Sequence, residues 1–294
     1  MVLASFAADS LALAPHWIYD TGKILRDFGR VDSFLTPAPG SYHATKQRGD
    51  FTHYGDQAFV LLESLAASGG FDLQDFSSRW RKLFRDYRGY VDKATRTTLS
   101  SYASGKAPGD AGSPSEELAG ASRIAPVVYC YRNDHASLVE ACIAQTRMTH
   151  RDSSVVESSR FFGEVAWMVL HGTAPVHAMK KNRQEHFESS PLAKWVQEGI
   201  ESRGGETIPI IARFGQSCGA AHAFPAAVHL IAKYETNLKE ALVQSVMAGG
   251  DSAARGMVAG MILGAHVGLE GIPEIWISEL RRKDEILRHL AELQ

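Results

Sequence analysis

The stretch GGDSAARGMVAGMILGA, residues 249–265, carries the clearest fold signal in the sequence. Its two leading glycines permit a tight backbone turn, and Asp251 then stands at the mouth of a predicted helix. Small residues follow at helical spacing, namely Ala253, Gly256, Gly260 and Gly264. Glycine in a helix interior costs about 1 kcal/mol relative to alanine. Three glycines in one apolar helix therefore predict that another helix packs closely against it, around a buried site.

The composition is that of a soluble globular protein. Of the 294 residues, 45% are hydrophobic and 22% are charged, and the net charge of −2 argues against nucleic-acid binding. The three cysteines lie far apart without a CxxC pair, which predicts reduced thiols in a cytoplasmic protein. The late apolar run 257–269 is shorter than the roughly 20 residues that a membrane span needs. We therefore expect no membrane partner, and the oligomeric state stays open.

Apolar residues recur at helical spacing along most of the chain. The apolar stretch 1–14 lacks the basic start of a signal peptide and contains Asp9, so we predict a core helix there. The only strand candidate is 208–211, and Pro209 weakens it. The sequence thus predicts an all-α fold, a compact multi-helix bundle that forms one domain over residues 1–294. The predicted helices cover 3–13, 56–67, 75–87, 95–103, 137–146, 155–170, 191–201, 220–234, 238–248, 251–267 and 273–294.

Side chains suited to binding a ligand cluster near the N-terminus. Asp9 is a carboxylate inside an apolar helix, so it must be paired, hydrogen-bonded or bound to a cation. His16, Trp17 and Tyr19 offer flat faces with polar tips, which suit a sugar or a nucleoside. The alternative for these three is an aromatic corner of the core.

A second group of polar residues follows the long polar stretch 29–52. Capping of the next helix explains one residue of the block Thr-His-Tyr-Gly-Asp-Gln at 52–57. It does not explain His53, Tyr54, Asp56 and Gln57 together, and long loops in compact domains tend to be functional or mobile. Thr149 and His150, between two predicted helices, are further site candidates, with a capped polar turn as the alternative.

Taken in order, these blocks resemble the ADP-ribosylglycohydrolase family, an all-α fold. The family pattern runs from G-x-x-x-G-D-A through [ST]-D-D-T, R-I-A-P, T-H and G-G-D-T-D-T to I-P-x-x-W. The stretch Ala-Ser-Phe-Ala-Ala-Asp-Ser at 4–10 stands at the first block, and residues 123–126, 149–150 and 272–276 match their blocks outright. The blocks at 16–20 and 53–57 are most similar to a divergent branch that includes the jellyfish J-type crystallins.

The resemblance implies two Mg²⁺ ions held by six side chains, and most of these are replaced. Only Asp56 and Asp251 remain as metal ligands. The other positions of the two blocks hold Tyr54, Gly55, Gln57, Ser252, Ala253 and Ala254. Because Mg²⁺ demands near-octahedral oxygen coordination, we expect Asp56 and Asp251 to hold one weakly bound ion at most.

Arg255 offers a different source of positive charge. It lies four residues after Asp251 and so on the same helix face. We expect its guanidinium to compensate for the missing magnesium and to fork onto a carboxylate or a phosphate. The alternative is an ordinary salt bridge on the helix surface.

The resemblance implies a hydrolase that cleaves an N- or O-glycosidic bond to ADP-ribose or to a related nucleoside-type group, in a small molecule or an ADP-ribosylated substrate. The expected catalytic residues are Asp56, Asp251 and Arg255. The expected substrate-binding residues are Asp9, His16, Trp17, Tyr19, His53, Tyr54, Gln57, Thr149 and His150. The alternatives are a catalytically inactive pseudoenzyme or crystallin-like protein, which binds a nucleotide-type ligand or is structural, and an unrelated hydrolase on the same scaffold.

Overall fold

The computed structural model describes residues 1–293, and these form helices joined by turns and loops. Two isolated β-bridges, Ser113 to His150 and Glu117 to Gly219, are the extent of β-structure in this range. The all-α prediction is therefore confirmed.

In chain order the helices are α1 (Val2–Ala12), α2 (Thr21–Phe28), α3 (His53–Ser68), α4 (Leu73–Leu83), α5 (Lys93–Ala103), α6 (Ala119–Ser122), α7 (Ala125–Cys130), α8 (His135–Arg147), α9 (Ser153–Leu170), α10 (Pro175–His186), α11 (Pro191–Glu201), α12 (Thr207–Phe214), α13 (Ala220–Lys233), α14 (Leu238–Met247), α15 (Ser252–Val267), α16 (Glu274–Glu279) and α17 (Lys283–Glu292).

Helices α1 and α15 form the centre of the bundle. Every residue of α1 is buried, and α15 is buried from its first residue to Gly264. A β-carbon placed on Gly260 would lie 2.7 Å from the carbonyl oxygen of Ala4, and one on Gly264 would lie 2.6 Å from Cβ of Ala4. The close helix approach that the glycine spacing predicts is therefore present, and its partner is α1.

Three parts of the helix prediction differ from the structure. Residues 208–211 lie in α12 rather than in a strand. Pro209 is tolerated there because it falls in the first helical turn, where backbone N–H groups form no hydrogen bond within the helix. The predicted helix 273–294 is split into α16 and α17, because Leu280 is extended and the N–H of Arg281 bonds to the carbonyl oxygen of Gly49. Residue 294 lies outside the described residues. The sequence also left α2, α6, α7 and α10 unpredicted.

The segment 29–52 contains no helix, yet it is packed into the protein. Phe34, His43 and Phe51 are buried, and a β-carbon on Gly49 would lie 2.1 Å from the carbonyl oxygen of Glu279. The loop is therefore held against the body of the bundle and delivers its side chains to fixed places. Among residues 1–293, no helix combines the length and apolarity needed to cross a lipid bilayer.

The α1–α15 contact predicts opposite effects for two glycines of α15. Gly260→Ala should lower the free energy of unfolding by about 1–3 kcal/mol, because its methyl group would overlap the backbone of Ala4. Gly256→Ala meets only ordinary contacts, the nearest at 3.6 Å from Oγ of Ser245, and should be neutral or stabilising by up to about 1 kcal/mol. Urea unfolding of both variants checks this, and equal effects of the two would contradict it.

Candidate functional site

Asp251 is the centre of a buried polar cluster at the start of α15. One carboxylate oxygen lies 3.2 Å from Nε2 of His16, and the other accepts a hydrogen bond from the Tyr54 hydroxyl at 3.1 Å. Its side chain also caps α15 by accepting from the N–H of Ala254. Burial alone would raise the pKa of Asp251, but the bond from His16 and the nearby positive charge of Arg255 hold it below its usual range. Asp251 is therefore an ionised carboxylate whose two oxygens are both satisfied by protein groups.

His16 joins Asp251 to His43 of the loop 29–52. Nδ1 of His16 lies 2.9 Å from Nε2 of His43, and the two rings are nearly parallel. Burial lowers the pKa of His16, and it lowers the pKa of His43 to about 2, so both rings are neutral at pH 7. Since Asp251 requires a donor, His16 carries its proton on Nε2 and accepts at Nδ1 from His43. This leaves Nδ1 of His43 as a buried acceptor without a partner.

Aromatic rings surround these histidines and reach the surface. Trp17 stacks on His16 with ring centroids 4.4 Å apart, and it meets Tyr42 and Tyr90 edge-on at 4.8 and 4.9 Å. Trp17 has a φ of 65°, the one non-glycine positive φ among residues 1–293. This strained backbone holds the indole against the cluster. Tyr42 is 55% exposed and Tyr19 is 50% exposed, so both mark the side of the cluster that faces solvent.

Arg255 is fully buried but does not fork onto a carboxylate. Its Nη2 donates to the carbonyl oxygens of Ser245 and Gly249, each at 2.5 Å, and its Nε donates to Oγ of Ser245 at 3.3 Å. Side chains on a helix lean toward its N-terminus, and here that direction leads to the backbone of the preceding turn. The guanidinium group thus fixes the turn that carries Asp251. The sequence-based expectation that it would contact a carboxylate or a phosphate is wrong for the carboxylate.

Asp9 fills the space beside Gly55. Its carboxyl group accepts from the N–H of Thr52 at 2.7 Å and from the Thr52 hydroxyl at 2.6 Å. A β-carbon on Gly55 would lie only 2.3 Å from Oδ2 of Asp9. Burial raises the pKa of Asp9 to about 7, with a smaller contribution from Asp56. The place of the first aspartate in the family block is therefore taken by a carboxyl group from α1.

Asp56 has a separate set of partners from Asp251. It forms an ion pair with the ammonium group of Lys46 and accepts from the Tyr87 hydroxyl at 2.5 Å. Asp56 follows Tyr54 by two residues, so the two side chains leave α3 about 200° apart around its axis. Tyr54 contacts Asp251, and Asp56 faces the loop 29–52 instead. The two expected metal ligands thus belong to different contact networks.

The residues present do not fit a pair of Mg²⁺ ions. No group of three or more histidine, cysteine, aspartate or glutamate side chains in residues 1–293 is arranged to hold a metal ion. The oxygens of Asp251 are occupied by His16 and Tyr54, and a cation at Asp56 would have to displace Lys46. The ammonium group of Lys46 supplies the positive charge at Asp56. Lys46 was not among the site residues predicted from the sequence.

Gln57, Thr149 and His150 gather around Arg123, away from Asp251. Nη1 of Arg123 donates to Oε1 of Gln57 at 3.1 Å, and Nη2 donates to Oγ1 of Thr149 at 2.6 Å. The Thr149 hydroxyl is in turn 2.9 Å from Nδ1 of His150. Burial lowers the pKa of Arg123 to about 10, which leaves the guanidinium charged at neutral pH. This network ties α3 to the segment after α8.

Two acidic residues that sequence reasoning missed lie beside His53. Asp92 caps α5 by accepting from the N–H of Thr95 at 2.6 Å, and its other oxygen is 3.2 Å from Nε2 of His53. Burial acts to raise the pKa of Asp92, but the contact with His53 outweighs it and keeps the pKa well below its usual range. Glu117, the second acid, lines a nearby cavity of about 350 Å³. An aspartate directly before a helix resembles an ordinary cap, so the sequence held no distinct signal for Asp92.

The Lys46–Asp56 pair predicts a stability effect that a surface pair lacks. Lys46→Met should lower the free energy of unfolding by about 1–3 kcal/mol, because it leaves a largely buried carboxylate without its counter-charge. Lys23→Met removes an exposed helix pair with Asp27 and should change stability by less than about 0.5 kcal/mol. Chemical denaturation of both variants measures the difference. Equal stability of Lys46→Met and wild type would show that Lys46 does not compensate Asp56.

The raised pKa of Asp9 predicts a falling stability between pH 4 and pH 7. The folded state keeps the Asp9 proton up to a pKa of about 7, whereas the unfolded chain releases it near its ordinary pKa of 3.8. This contribution to stability is therefore complete below the ordinary pKa and is lost as the pH rises through about 7. Asp9→Asn should flatten that slope in urea titrations across this range. An unchanged slope would mean that Asp9 is ionised in the fold.

The chain is similar to known proteins over its whole length. The ADP-ribosylglycohydrolase family model matches residues 1–294. Crystallin J1A of Tripedalia cystophora is 24% identical over 310 residues, covering 99% of this chain and 94% of the crystallin. The ADP-ribosyl-[dinitrogen reductase] glycohydrolase of Rhodospirillum rubrum is 26% identical over 250 residues, covering 81% and 76% of the two chains.

A solved structure has the same fold. The ADP-ribosylglycohydrolase-related protein complex superposes with a TM-score of 0.79 at 25% identity, covering 99% of this chain and 95% of the other. The sequence match and the shared fold extend over the same residues, including the helices that carry Asp9, His53 and Asp251. The chain belongs to the ADP-ribosylglycohydrolase family.

Proposed function

We propose that this protein hydrolyses the N- or O-glycosidic bond of an ADP-ribosyl group, or of a related nucleoside-type group, without a di-magnesium centre. One observation carries the proposal: two buried carboxylates, Asp92 and Asp251, each lie 3.2 Å from a histidine, and both have a pKa below the usual range. Both charges act on Tyr54, whose pKa is raised well above its usual value by burial and then by Asp251 and Asp92. Cleavage of such bonds passes through an oxocarbenium-like cation, which buried carboxylates stabilise.

The two carboxylates take different roles in this proposal. Asp251 is fully buried with both oxygens occupied, so it acts on the reaction through its charge. Asp92 is the base that accepts a proton from the attacking water, since its pKa is low and Lys93, the next residue, lines the cavity of about 350 Å³. The exposed rings of Tyr42 and Tyr19, next to Trp17, would stack on the base or the sugar of the substrate. Asp56 and Arg255, which the sequence suggested as catalytic, support the surrounding structure.

The proposed substrate class rests on the family, and the proposed cellular compartment rests on the free state of the thiols. The Rhodospirillum rubrum relative acts on an ADP-ribosylated protein by its name, and we propose an ADP-ribosylated protein or small molecule here. Cys130, Cys142 and Cys218 are all free thiols, which supports a reducing, cytoplasmic location. No nucleic-acid partner and no metal cofactor belong to the proposal.

A second candidate function is a crystallin-like or ligand-binding protein without turnover. The observation that favours it is the complete satisfaction of Asp251 and Asp56 by protein donors. Similarity to a jellyfish crystallin over 99% of the chain also supports it. Under this reading the aromatic cluster still accepts a nucleotide-type ligand, or serves only the packing of the core.

Release of ADP-ribose from arginine-linked and serine-linked ADP-ribosyl peptides tests the first proposal. Wild type should turn over at least one of them, with equal rates in EDTA and in Mg²⁺. Asp92→Asn should lower kcat by about 10²–10⁴-fold, as loss of a general base does. Asp134→Asn is the matched control, because Asp134 caps α8 through the N–H three residues on, as Asp92 caps α5, but is exposed.

Two outcomes would contradict the proposal in different ways. Activity that disappears in EDTA would overturn the metal-free mechanism. Absence of turnover on both peptides, with and without Mg²⁺, would favour the second candidate. A melting-temperature scan with ADP-ribose then separates ligand binding from a structural role, since a ligand at a hundredfold excess over Kd stabilises by about 2.7 kcal/mol.

A further inference from the structure

Glu117 lies in a segment that is hydrogen-bonded to the start of α13 and borders a cavity open to solvent. The N–H of Leu118 donates to the carbonyl oxygen of Cys218 at 2.8 Å, and the N–H of Ala220 donates to that of Glu116 at 2.8 Å. These bonds fix Glu117 at the wall of the cavity of about 350 Å³, which is of the size that small ligands occupy. The other polar side chains that line it belong to Lys93, Thr97, Ser113, Ser115, Glu116 and Cys218.

The carboxyl group of Glu117 is only partly satisfied by the protein. Oε2 is buried without a hydrogen-bond partner, and Cys218 lines the same cavity as Glu117. The ionisable groups that face it are Asp92, Asp251, Cys218 and His53. Burial, together with the charges of Asp92 and Asp251, raises the pKa of Glu117. Lys93 lines the same cavity but is exposed, so water screens its charge.

The pKa values of Asp92 and Glu117 are shifted in opposite directions, below the usual range for Asp92 and above it for Glu117. Asp92 is held ionised by His53, whereas the neighbouring negative charges favour the protonated form of Glu117. Enzymes that cleave glycosidic bonds use such a pair of carboxyl groups, one as acid and one as base. The thiol of Cys218 is not a competing nucleophile, because burial and the adjacent acids raise its pKa.

We propose that Glu117 is the general acid of the hydrolysis and that the cavity beside it holds the leaving group. This inference rests on the proposed function. In the step, the proton of Glu117 moves to the leaving oxygen or nitrogen as the glycosidic bond breaks, and the bonding electron pair stays with that atom. Water forms the new bond to the anomeric carbon and gives its proton to Asp92. Solvent returns this proton to Glu117, so that one water is consumed per bond cleaved.

Leaving groups that differ in their need for a proton test this role. An alkoxide is a poor leaving group without an acid, whereas a nitrophenolate departs readily without one. Glu117→Gln should lower kcat by about 10²–10³-fold on a serine-linked ADP-ribosyl peptide, and by less than about 10-fold on nitrophenyl ADP-ribose. Glu140→Gln, an exposed glutamate of α8 outside this cavity, should match wild type on both substrates.

The pH profile supplies a readout that a structural role would not change. Wild-type kcat on the peptide should fall on the alkaline side as Glu117 loses its proton, and this limb should be missing in Glu117→Gln. Equal losses on the two substrates, or an alkaline limb that persists in the variant, would overturn the role of Glu117 and leave the hydrolase proposal standing. Absence of wild-type turnover on both substrates would overturn the hydrolase proposal itself, and the role of Glu117 with it.

Discussion

A buried carboxylate must be neutralised or stabilised by its immediate surroundings, and the region around the N-terminal end of α3 contains four of them. Each is stabilised differently. Asp251 is bonded by His16 and Tyr54, Asp56 is paired with Lys46, Asp92 contacts His53, and Asp9 keeps a proton. The positions of the loop 29–52, of Trp17 and of the start of α5 follow from the need to supply these partners. Without them the central helices could not bring so many acids together.

The loop 29–52 supplies two side chains that contact the polar residues of the site. It contributes Lys46 to Asp56 and His43 to His16, and it is fixed by the close contact of Gly49 with Glu279. A metal ion binds several ligands at once and holds them in one geometry. Lysine and histidine each satisfy one or two oxygens, so the acids here are divided among separate networks. The difference explains why Asp56 and Asp251 do not converge.

Much of the fold and part of the site follow from the sequence. The glycine spacing of 249–265 predicts the close helix pair, and the helical periodicity predicts most of the bundle, because both depend on local patterns and buried faces. The cluster of His16, Tyr54 and Asp251 joins blocks that the sequence marks separately. The strand candidate at 208–211 was wrong, since a proline in a first helical turn and one in a weak strand look alike in a single sequence.

The partners of these residues depend on side-chain direction and long-range packing, which no local pattern gives. Arg255 shares a helix face with Asp251, but its guanidinium reaches the backbone of Ser245 and Gly249. Lys46 and Asp92 lie in positions that read as loop and helix cap, and their roles appear only when α3 is placed beside them. The gathering of Gln57 and Thr149 around Arg123 is likewise a result of packing.

The electrostatic field of the polar cluster around Asp251 favours a cation over a neutral group. His16 is neutral, so it orients Asp251 without cancelling its charge, and the guanidinium of Arg255 is turned toward backbone oxygens. Asp92 adds a second negative charge, and both carboxylates act on Tyr54. This field stabilises a glycosidic substrate only a little, because its anomeric carbon carries no net charge. It stabilises the positively charged, oxocarbenium-like transition state more strongly. Only interactions that strengthen in the transition state accelerate a reaction, and in the proposed hydrolysis the negative charges of Asp92 and Asp251 would meet that condition.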